Sequence, residues 1–570
     1  MIISAPTASA PTAHFKFYSF RDSLLFRHRL LGAFLWTLLC CTCALAQVSG
    51  TVRSSGSGNP IASAKVRVQA DPNSEEVTAN SMGQFSLSVT PTTQIGIAAF
   101  KPYDHAPGAV NYATNVQDVV TITDNLDIFL DVIPPHQLSG YTPPTANSCG
   151  GCHSRQREQW ATSRHAGSAI NTWVLDLFSG TGTPGGGAGY VYKSSHGVGE
   201  SGFCATCHAP MRDVFNPGAV QLDLVSTAAG LDGVNCVACH QIANVDANKI
   251  NGLHAAGPQF GKTDYYFAND SNAAFQVFGA LPDVNTNVMR NIFNPLFKQP
   301  LLCASCHQYA NPANGTQGQN TYGEWLASPY AVPGLGFKTC QNCHMPEEAA
   351  SGTIAIGGVA RPAAQRHRHT FIGSTPTTLA DAIKLNTVVT QVGSEIVVTA
   401  NVQNQGAGHA FPTGIDIRNA MLIVRAKKRG GAVLVQSFGP TVPNWADDDL
   451  PGVQLGDFSG LPGKGFAKIL SGRINGVGPT ISPVLFIDAE SFVSSTIPAA
   501  STDTTVYRFT LPSGVNLSDI DVDAKVLYRR AFRALAVTKG WTQTPSGGPI
   551  EVEVGRAVSP ADGRLGDGFE

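Results

Sequence analysis

The residues with the clearest chemistry are ten cysteines and five histidines in five copies of the pentapeptide C-x-x-C-H. We number these copies motifs 1 to 5 in chain order: Cys149–His153, Cys204–His208, Cys236–His240, Cys303–His307 and Cys340–His344. Two cysteines at this spacing lie one helical turn apart, and each can form a thioether with a haem vinyl group. The histidine that follows can offer a neutral imidazole nitrogen to the haem iron. The pattern is typical of covalently attached c-type haem.

Two other kinds of site also use C-x-x-C pairs. Structural zinc sites use them two at a time, whereas this chain has five, and zinc gives no reason for a histidine after every pair. A thioredoxin-like redox motif would occur once, at a strand-to-helix turn. We therefore predict five covalent haems, and with them a protein that carries electrons. The predicted thioether residues are Cys149, Cys152, Cys204, Cys207, Cys236, Cys239, Cys303, Cys306, Cys340 and Cys343, and the predicted proximal iron ligands are His153, His208, His240, His307 and His344.

Residues 1–46 are typical of a signal peptide. Four basic residues precede an apolar stretch at 30–43, and Ala44-Leu45-Ala46 supplies a cleavage site before Gln47. The apolar stretch, of about 14 residues, is short for a membrane span, and no later stretch is long enough. It holds the three cysteines that lie outside the motifs, so the mature chain has none left for a disulfide. We expect export to the periplasm or the cell surface, where bacteria attach c-type haem.

The charge balance argues against a nucleic-acid partner. Removing residues 1–46 takes away four positive charges and one negative charge, which changes the formal net charge from −2 to −5. No basic stripe is present that could follow a phosphate backbone. The expected partners are redox proteins, with self-association as a further option.

Two β-rich regions are expected to flank the motifs. At 47–133, short alternating runs are separated by Gly, Pro and Asn, which predicts a small β-sandwich. The stretches VSGTV, GNPIASAKVRV and NSMGQFSLSV resemble the carboxypeptidase regulatory-like domain, a prealbumin-like sandwich without catalytic residues of its own. This resemblance implies a spacer or docking module. At 380–557, a second alternating region predicts an immunoglobulin-like β-sandwich.

The motifs occupy a region at 137–375 that has no sustained apolar periodicity. We expect it to be mostly α-helical or irregular, with the haems supplying much of the core. Its glycine-rich run Ser179–Gly189 lacks the Lys-Ser/Thr of a phosphate loop and is predicted to be a flexible surface loop.

An internal echo links two parts of this region. The segment Trp160–Ala166 (WATSRHA) matches Trp325–Ala331 (WLASPYA) at Trp, Ser and Ala, with His165 in one copy and Tyr330 in the other. The first copy resembles the W-x-x-S-x-H-A stretch of multihaem cytochromes related to hydroxylamine oxidoreductase and the nitrifiers' tetrahaem cytochrome. In that group this histidine ligates a neighbouring haem from the far side. CQNCHMP at 340–346 and RHRHTFIG at 366–373 are also similar to the group.

The C-terminal region holds one more candidate ligand. GAGHAFPTG at 406–414 resembles a loop in C-terminal domains of multihaem cytochromes, which implies that His409 ligates an iron. Glycines there allow close approach to a flat ring, and Arg418 could pair with a haem propionate.

Five irons need five distal ligands if all have two histidines. The mature haem and C-terminal regions hold six histidines outside the motifs. The predicted distal ligands are His165, His196, His254, His369 and His409, with His367 as the alternative to His369. Met211, Met289 and Met345 are further candidates for an iron that lacks a second histidine. The alternative for each histidine is an exposed loop residue.

The leading hypothesis is an exported pentahaem cytochrome that passes electrons along closely spaced haems between redox partners, with no catalytic residues. One alternative is a reductase or oxidase of a small nitrogen or sulfur oxyanion at one open haem, with the haem nearest Tyr330 as the first suspect. Against it, the pentahaem nitrite reductases that this region distantly resembles usually have lysine in one motif. A further alternative is a subunit of an extracellular cytochrome filament.

Overall fold

The structure, a computed structural model, describes residues 46–89, 95–119, 125–249, 254–256, 262–267, 275–284, 288–447 and 457–559. The predicted signal peptide lies outside the described residues, apart from Ala46. Small β-sheets come first along the chain, a region of short helices follows, and an antiparallel β domain comes last. This order confirms the multidomain architecture expected from the sequence. None of the helices described in these ranges is long and apolar enough to cross a membrane.

The N-terminal region consists of two small sheets that share one core. Its strands are β1 (Ala46–Ser54), β2 (Lys65–Val68), β3 (Val77–Thr78), β4 (Gln84–Val89), β5 (Ile95–Phe100), β6 (Asn115–Val119) and β7 (Leu126–Leu130). One sheet has the order β4-β1-β7, with β1 and β7 parallel, and the other has the order β3-β2-β5-β6. Every second side chain of β4 and β7 is buried, because successive side chains of a strand point to opposite faces. Val48, Val66, Leu87 and Ile97 are fully buried between the sheets.

The central region is built from helices of four to eight residues. They are α1 (Ala146–Gly150), α2 (Ser154–Ala161), α3 (Thr172–Phe178), α4 (Tyr192–His196), α5 (Cys204–His208), α6 (Pro210–Asp213), α7 (Ala228–Leu231), α8 (Cys236–His240), α9 (Leu301–His307), α10 (Thr321–Leu326) and α11 (Cys340–His344). Motifs 2, 3 and 5 are the whole of α5, α8 and α11, and motif 4 ends α9. Motif 1 begins in α1 and ends at His153, directly before α2.

Side-chain caps support the helices of motifs 3 and 5, which are too short to be stable through their own hydrogen bonds. The side chain of Asn235 accepts a hydrogen bond from the Ala238 N–H at 3.1 Å, at the start of motif 3. At motif 5, Thr339 and Asn342 form a reciprocal capping box. The caps hold the two cysteines and the histidine of a motif on one helical turn.

The central region contains more β structure than the sequence suggested. Its strands are β8 (Ile242–Val245), β9 (His254–Ala256), β10 (Thr263–Tyr265), β11 (Phe275–Gly279) and β12 (Met289–Phe293). They form one sheet of order β8-β10-β9 and a parallel β11-β12 pair. The N-terminal sheets attach here, because the Tyr103 N–H donates to the Phe293 carbonyl oxygen at 2.8 Å.

The C-terminal domain is an antiparallel β domain with two sheets around one core. Its elements are α12 (Pro376–Ala382), β13 (Ile383–Val392), β14 (Glu395–Asn404), β15 (Asn419–Lys428), β16 (Gln436–Phe438), β17 (Gly463–Ile474), β18 (Val477–Ile481), β19 (Ala489–Ser494), β20 (Thr502–Thr510), β21 (Ile520–Arg529), α13 (Arg533–Lys539) and β22 (Glu551–Ser559). One sheet has the order β13-β14-β20-β16; the other has the order β18-β17-β15-β21-β22, and β19 also pairs with β17. Ile396, Val398, Leu422 and Val526 are fully buried in the shared core.

The glycine-rich run Ser179–Gly189 is packed against the C-terminal domain and is not the free surface loop that the sequence suggested. The Lys539 ammonium, at the end of α13, donates to the carbonyl oxygens of Gly186 and Tyr190 at 2.6 Å each and to that of Asp176 at 3.2 Å. A Cβ atom on Gly186 would lie 1.7 Å from Oδ1 of Asp176, so only glycine fits at this position.

A tryptophan strengthens the same contact. The Trp541 indole N–H donates to Oδ2 of Asp176 at 2.7 Å, and its ring stacks on Trp173 with centroids 4.2 Å apart. We call Lys539 and Trp541, with these partners, the C-terminal clasp. It fixes the segment between motifs 1 and 2 to a helix that follows all five motifs in the chain.

Candidate haem-binding site

Each motif histidine is oriented by a contact at Nδ1. In four motifs the contact is a backbone carbonyl oxygen: Ile354 for His153 (3.2 Å), Ser168 for His208 (3.0 Å), Phe278 for His240 (2.7 Å) and Ile372 for His344. A carbonyl oxygen accepts, so Nδ1–H donates and the lone pair of a neutral imidazole is at Nε2. In motif 4, the Gln319 amide lies 3.0 Å from Nδ1 of His307. In the four motifs with a carbonyl contact, this tautomer is the one that an iron ligand needs.

Three of the predicted distal histidines lie opposite motif histidines. The ring-centroid distances are 6.2 Å for His165 and His307, 6.5 Å for His369 and His240, and 6.3 Å for His409 and His344. A metal–nitrogen bond is about 2 Å long and a ring nitrogen lies about 1 Å from its centroid, so two imidazoles on one iron have centroids about 6 Å apart. The spacing of these pairs therefore fits a haem iron between each two rings.

Burial keeps the three distal imidazoles neutral. Together with a smaller contribution from the facing motif histidine, burial lowers the pKa of His165, His369 and His409 to about 4 in each case. Nδ1 of His165 is buried and has no hydrogen-bond partner among the described residues. Burial also lowers the pKa of His208, His240 and His307. Only the neutral imidazole has a lone pair for a metal.

The two copies of the internal echo are built in the same way. The Trp160 indole N–H donates to the carbonyl oxygen of Val234 at 2.7 Å, and Val234 donates from its N–H to the carbonyl oxygen of His165 at 3.1 Å. In the second copy, Trp325 donates to the carbonyl oxygen of Lys338 at 2.8 Å, and Lys338 donates to the carbonyl oxygen of Tyr330 at 3.0 Å. Val234 and Lys338 each lie two residues before a motif. Each copy of the echo is therefore hydrogen-bonded, through the carbonyl oxygen of His165 or Tyr330, to the residue just before motif 3 or motif 5.

Tyr330 supports the loop that carries His409. Its hydroxyl donates to the carbonyl oxygen of Gln405 at 3.0 Å, and its ring is 3.6 Å from where a Cβ atom of Gly408 would lie. Asn404 holds the same loop by donating to the carbonyl oxygen of His409 at 2.8 Å. The haem site nearest Tyr330 is thus the one that His409 faces.

Phe371, from the RHRHTFIG stretch, lies between two of the histidine pairs. Its ring centroid is 4.4 Å from that of His165 and 6.0 Å from that of His369. The sequence analysis used this stretch only for its histidines. It did not predict that Phe371 contacts His165 and His369.

His196 has a different environment from the three paired histidines. Its Nε2 lies 2.9 Å from Oδ1 of Asp488, and its ring stacks on Tyr192 at 4.2 Å. The Tyr190 hydroxyl donates to the other oxygen of Asp488 at 2.7 Å. The two tyrosines pack beside Cys204 of motif 2. Asp488 and Tyr190 were not signalled by the sequence, because the C-terminal domain supplies the carboxylate.

Among the described side chains, the other predicted distal ligands are not paired with a motif histidine. His254 begins β9, and only its backbone is described. Nδ1 of His367 donates to the Met345 carbonyl oxygen at 2.7 Å. Met211 is a core residue, 1 % exposed, and Met289 begins β12. The structure does not bring any of these opposite a motif histidine among the described ring pairs.

The motifs adjoin one another through their cysteines. The thiols lie close together in three pairs, which are Cys149 and Cys236, Cys207 and Cys306, and Cys303 and Cys340. Cys239 of motif 3 also lies close to Cys303 and Cys306 of motif 4. The motifs thus form one continuous series, 1–3–4–5, with motif 2 beside motif 4. Of the ten cysteines, Cys152 and Cys343, at the two ends of this series, are exposed.

Three guanidinium groups are gathered at the edge of motifs 4 and 5. Burial and the neighbouring guanidiniums of Arg418 and Arg530 lower the pKa of Arg164, and burial together with Arg418 lowers that of Arg530. Arg418 donates to the carbonyl oxygen of Thr413 at 3.1 Å. Nε of Arg530 is buried without a hydrogen-bond partner in the described ranges. Like charges this close favour an anionic partner.

The described side chains hold no group of three or more His, Cys, Asp and Glu residues spaced to bind a metal ion among themselves. A structural zinc site takes four such ligands. The motif residues instead present two thiols and one imidazole on a helical turn, with a second imidazole opposite in three cases. This donor set fits a haem.

A match to a family model supports this interpretation for part of the chain. Residues 148–241, which contain motifs 1 to 3, match the family model of cytochrome c554 and c-prime. A penta-heme cytochrome c552 from Thermochromatium tepidum is a structural match with 22 % sequence identity and a TM-score of 0.49, covering 73 % of this chain and 98 % of that chain. No curated protein matches the chain significantly. The repeated motifs and the family match together identify the chain as a multihaem c-type cytochrome.

Proposed function

We propose that the protein is an exported pentahaem cytochrome that transfers electrons along closely spaced haems between redox partner proteins. The observation that carries the proposal is the set of three histidine pairs with centroids 6.2 to 6.5 Å apart. An iron with two histidines has no free position for a substrate, so it exchanges electrons only. Export rests on the signal peptide expected at 1–46.

In this proposal each motif binds one haem through its two thioethers and its histidine. The far-side ligands are His165 for the iron of motif 4, His369 for that of motif 3 and His409 for that of motif 5. His196, His254 and His367 remain candidates for motifs 1 and 2. The bound haems supply the one-electron chemistry. The chain's own residues fix the tautomer of four motif histidines through carbonyl contacts at Nδ1, exclude water by burial, and offer Arg164, Arg418 and Arg530 to the propionates.

The arrangement of the motifs supports a conduit with two ends. Motifs 1 and 5 terminate the series 1–3–4–5, and each has an exposed cysteine, Cys152 or Cys343. Electrons would enter at one of these ends and leave at the other. The N-terminal sheets, attached beside β11 and β12, would dock the conduit to a partner, to the cell surface or to a second copy.

Carbon monoxide titration of the reduced protein tests this function. Carbon monoxide binds only ferrous irons with an open position, so a conduit with two protein ligands on every iron should bind none. Intact-mass measurement of the same sample counts the haems. Fewer than five haems, or bound zinc, would contradict the proposal.

A second candidate function is supported by the surroundings of motif 2. Asp488 joins Tyr190 and His196 in a hydrogen-bonded acid–base group beside Cys204. Such a group could donate protons to a small nitrogen or sulfur oxyanion bound at the motif 2 iron. One equivalent of carbon monoxide per chain, together with turnover of nitrite or hydroxylamine that is lost in His196→Ala, would favour this reductase over the conduit.

A further inference from the structure

A buried carboxylic acid, Asp416, lies where the C-terminal domain meets motif 4. It is 6 % exposed, and it lines a small cavity of about 10 Å³ together with Glu324, Thr413, Arg418 and Lys468. A cavity of this size holds at most about one water molecule. The side chain is therefore close to dry.

The carboxyl group is only partly satisfied by hydrogen bonds. The backbone N–H groups of Asp416 and Phe486 favour its ionised form, but Oδ2 is buried with no hydrogen-bond partner among the described residues. A buried carboxylate with an unpaired oxygen is costly, and protonation relieves the cost. Burial accordingly raises the pKa of Asp416 to about 7, although the two backbone N–H groups and Lys468 oppose the change.

The charged and titratable groups that face Asp416 come from several elements. Lys468 of β17 donates to the Gly318 carbonyl oxygen at 2.7 Å, and burial lowers its pKa. Glu324 of α10 accepts from the Thr413 hydroxyl at 2.5 Å and from the Ala410 N–H at 3.2 Å, and burial raises its pKa. The Tyr309 hydroxyl also faces Asp416, and burial raises its pKa well above the usual range. Arg418 is on the same loop as Asp416. Asp416 and Glu324 thus both face the one ammonium group of Lys468. The negative charge of an ionised Asp416 is therefore only partly neutralised.

The same neighbours connect Asp416 to the motifs. Tyr309 follows His307 of motif 4 by two residues and lies close to Cys204 and Cys207 of motif 2. Glu324 holds the backbone directly after His409. Reduction of an iron at these motifs adds one negative charge in a region of low dielectric, and a negative charge favours the protonated form of a nearby carboxyl group.

We propose that Asp416 is a proton-binding site coupled to electron transfer, which takes up a proton from solution when a haem at motif 2, 4 or 5 is reduced. The inference rests on the proposed electron-transfer function. In the balanced step, a redox partner supplies one electron that converts ferric to ferrous iron, and the solvent supplies one proton that converts the Asp416 carboxylate to the acid. Oxidation reverses both. Coupling is reciprocal, so protonation also makes that haem easier to reduce.

The test is a spectroelectrochemical titration of the holoprotein between pH 5 and 9. In the wild type, one haem should have a midpoint potential that falls as pH rises through neutrality, because the ionised acid opposes reduction. Full coupling changes the reduction equilibrium tenfold per pH unit, which is about 59 mV for one electron. In Asp416→Asn, that haem should lose the dependence and keep the higher potential seen at low pH, since the amide stays neutral.

Controls separate this site from other proton acceptors. Asp523→Asn removes another buried carboxylate, one that is paired with Arg556 at 2.8 Å in the C-terminal domain, and should leave the slope unchanged. If Asp416→Asn does not fold, proton uptake by the wild type is measured with an indicator dye on reduction in weakly buffered solution. Potentials independent of pH, or no uptake on reduction, would overturn the inference while leaving the haem count intact. A slope that persists in Asp416→Asn, or that disappears only in Glu324→Gln, would place the proton elsewhere. Failure of haem reduction itself would refute the underlying function.

Discussion

The His409→Ala substitution tests directly whether the C-terminal domain is part of the redox unit. The structure places the His409 and His344 rings 6.3 Å apart and within 10° of parallel. Loss of the imidazole should therefore affect one iron and leave the others unchanged. In a pentahaem protein, one fifth of the ferric haem should change from low to high spin. The reduced variant should bind one more equivalent of carbon monoxide per chain than the wild type.

The assay is optical and magnetic. Ferric absorption and electron paramagnetic resonance report the spin state, and carbon monoxide difference spectra count the open irons. Added imidazole should enter the space left by the side chain and restore the low-spin spectrum. His105→Ala, which changes an exposed histidine of the N-terminal region, is the matched control and should have no effect. An unchanged spectrum in His409→Ala would refute the assignment of this ligand.

Three other predictions concern the haem count and the contacts between regions. Intact mass should equal a chain that starts at Gln47 plus five haems, and fewer would show that some motifs are not loaded. Lys539→Met should lower the free energy of unfolding in a denaturant titration by about 3 kcal/mol, the upper value for a hydrogen bond to a charged group, whereas Lys384→Met at an exposed site should not. The Arg155 side chain lowers the pKa of Glu348 to about 2. The ionised Glu348 therefore stabilises the folded protein fully above a pH of about 4.3, and this stabilisation is lost as the pH falls towards 2. Glu348→Gln should weaken the pH dependence of unfolding over that window, and an unchanged profile would contradict the pairing.

Local patterns predicted the parts of the fold that depend on neighbouring residues. The β-rich region expected at 47–133 contains the strand Gln84–Val89, and the one expected at 380–557 contains the strand Glu395–Asn404. Motifs 2 to 5 each lie within one short helix, as the spacing of their cysteines suggested, whereas motif 1 ends outside its helix, at His153. The sequence also showed the repeat that contains Trp160 and Trp325. It did not predict which carbonyl groups the two indole N–H groups bind.

The other features of the fold and the site depend on contacts between residues far apart in the chain, which local sequence patterns do not predict. The run Ser179–Gly189 has the composition of a free loop, but its glycines allow the close approach of Lys539, some 350 residues away. His196 has no local feature that would predict its pairing with Asp488. The small sheets of β8 to β12 have strands of three to five residues, too short for alternation to distinguish them from loops.

The C-terminal clasp has a consequence for how the protein is assembled. Thioether formation requires that both thiols of a motif can be reached, whereas Cys204, Cys207, Cys239 and Cys303 are partly buried in the folded chain. Lys539 and Trp541 follow every motif in the chain, so the segment between motifs 1 and 2 cannot be fixed in place until the C-terminal domain has been synthesised. The order of synthesis therefore leaves this segment, which lies beside motif 2, unfixed until after every motif has been synthesised. A chain cut short before residue 533 would keep its attachment motifs and lose this closing step.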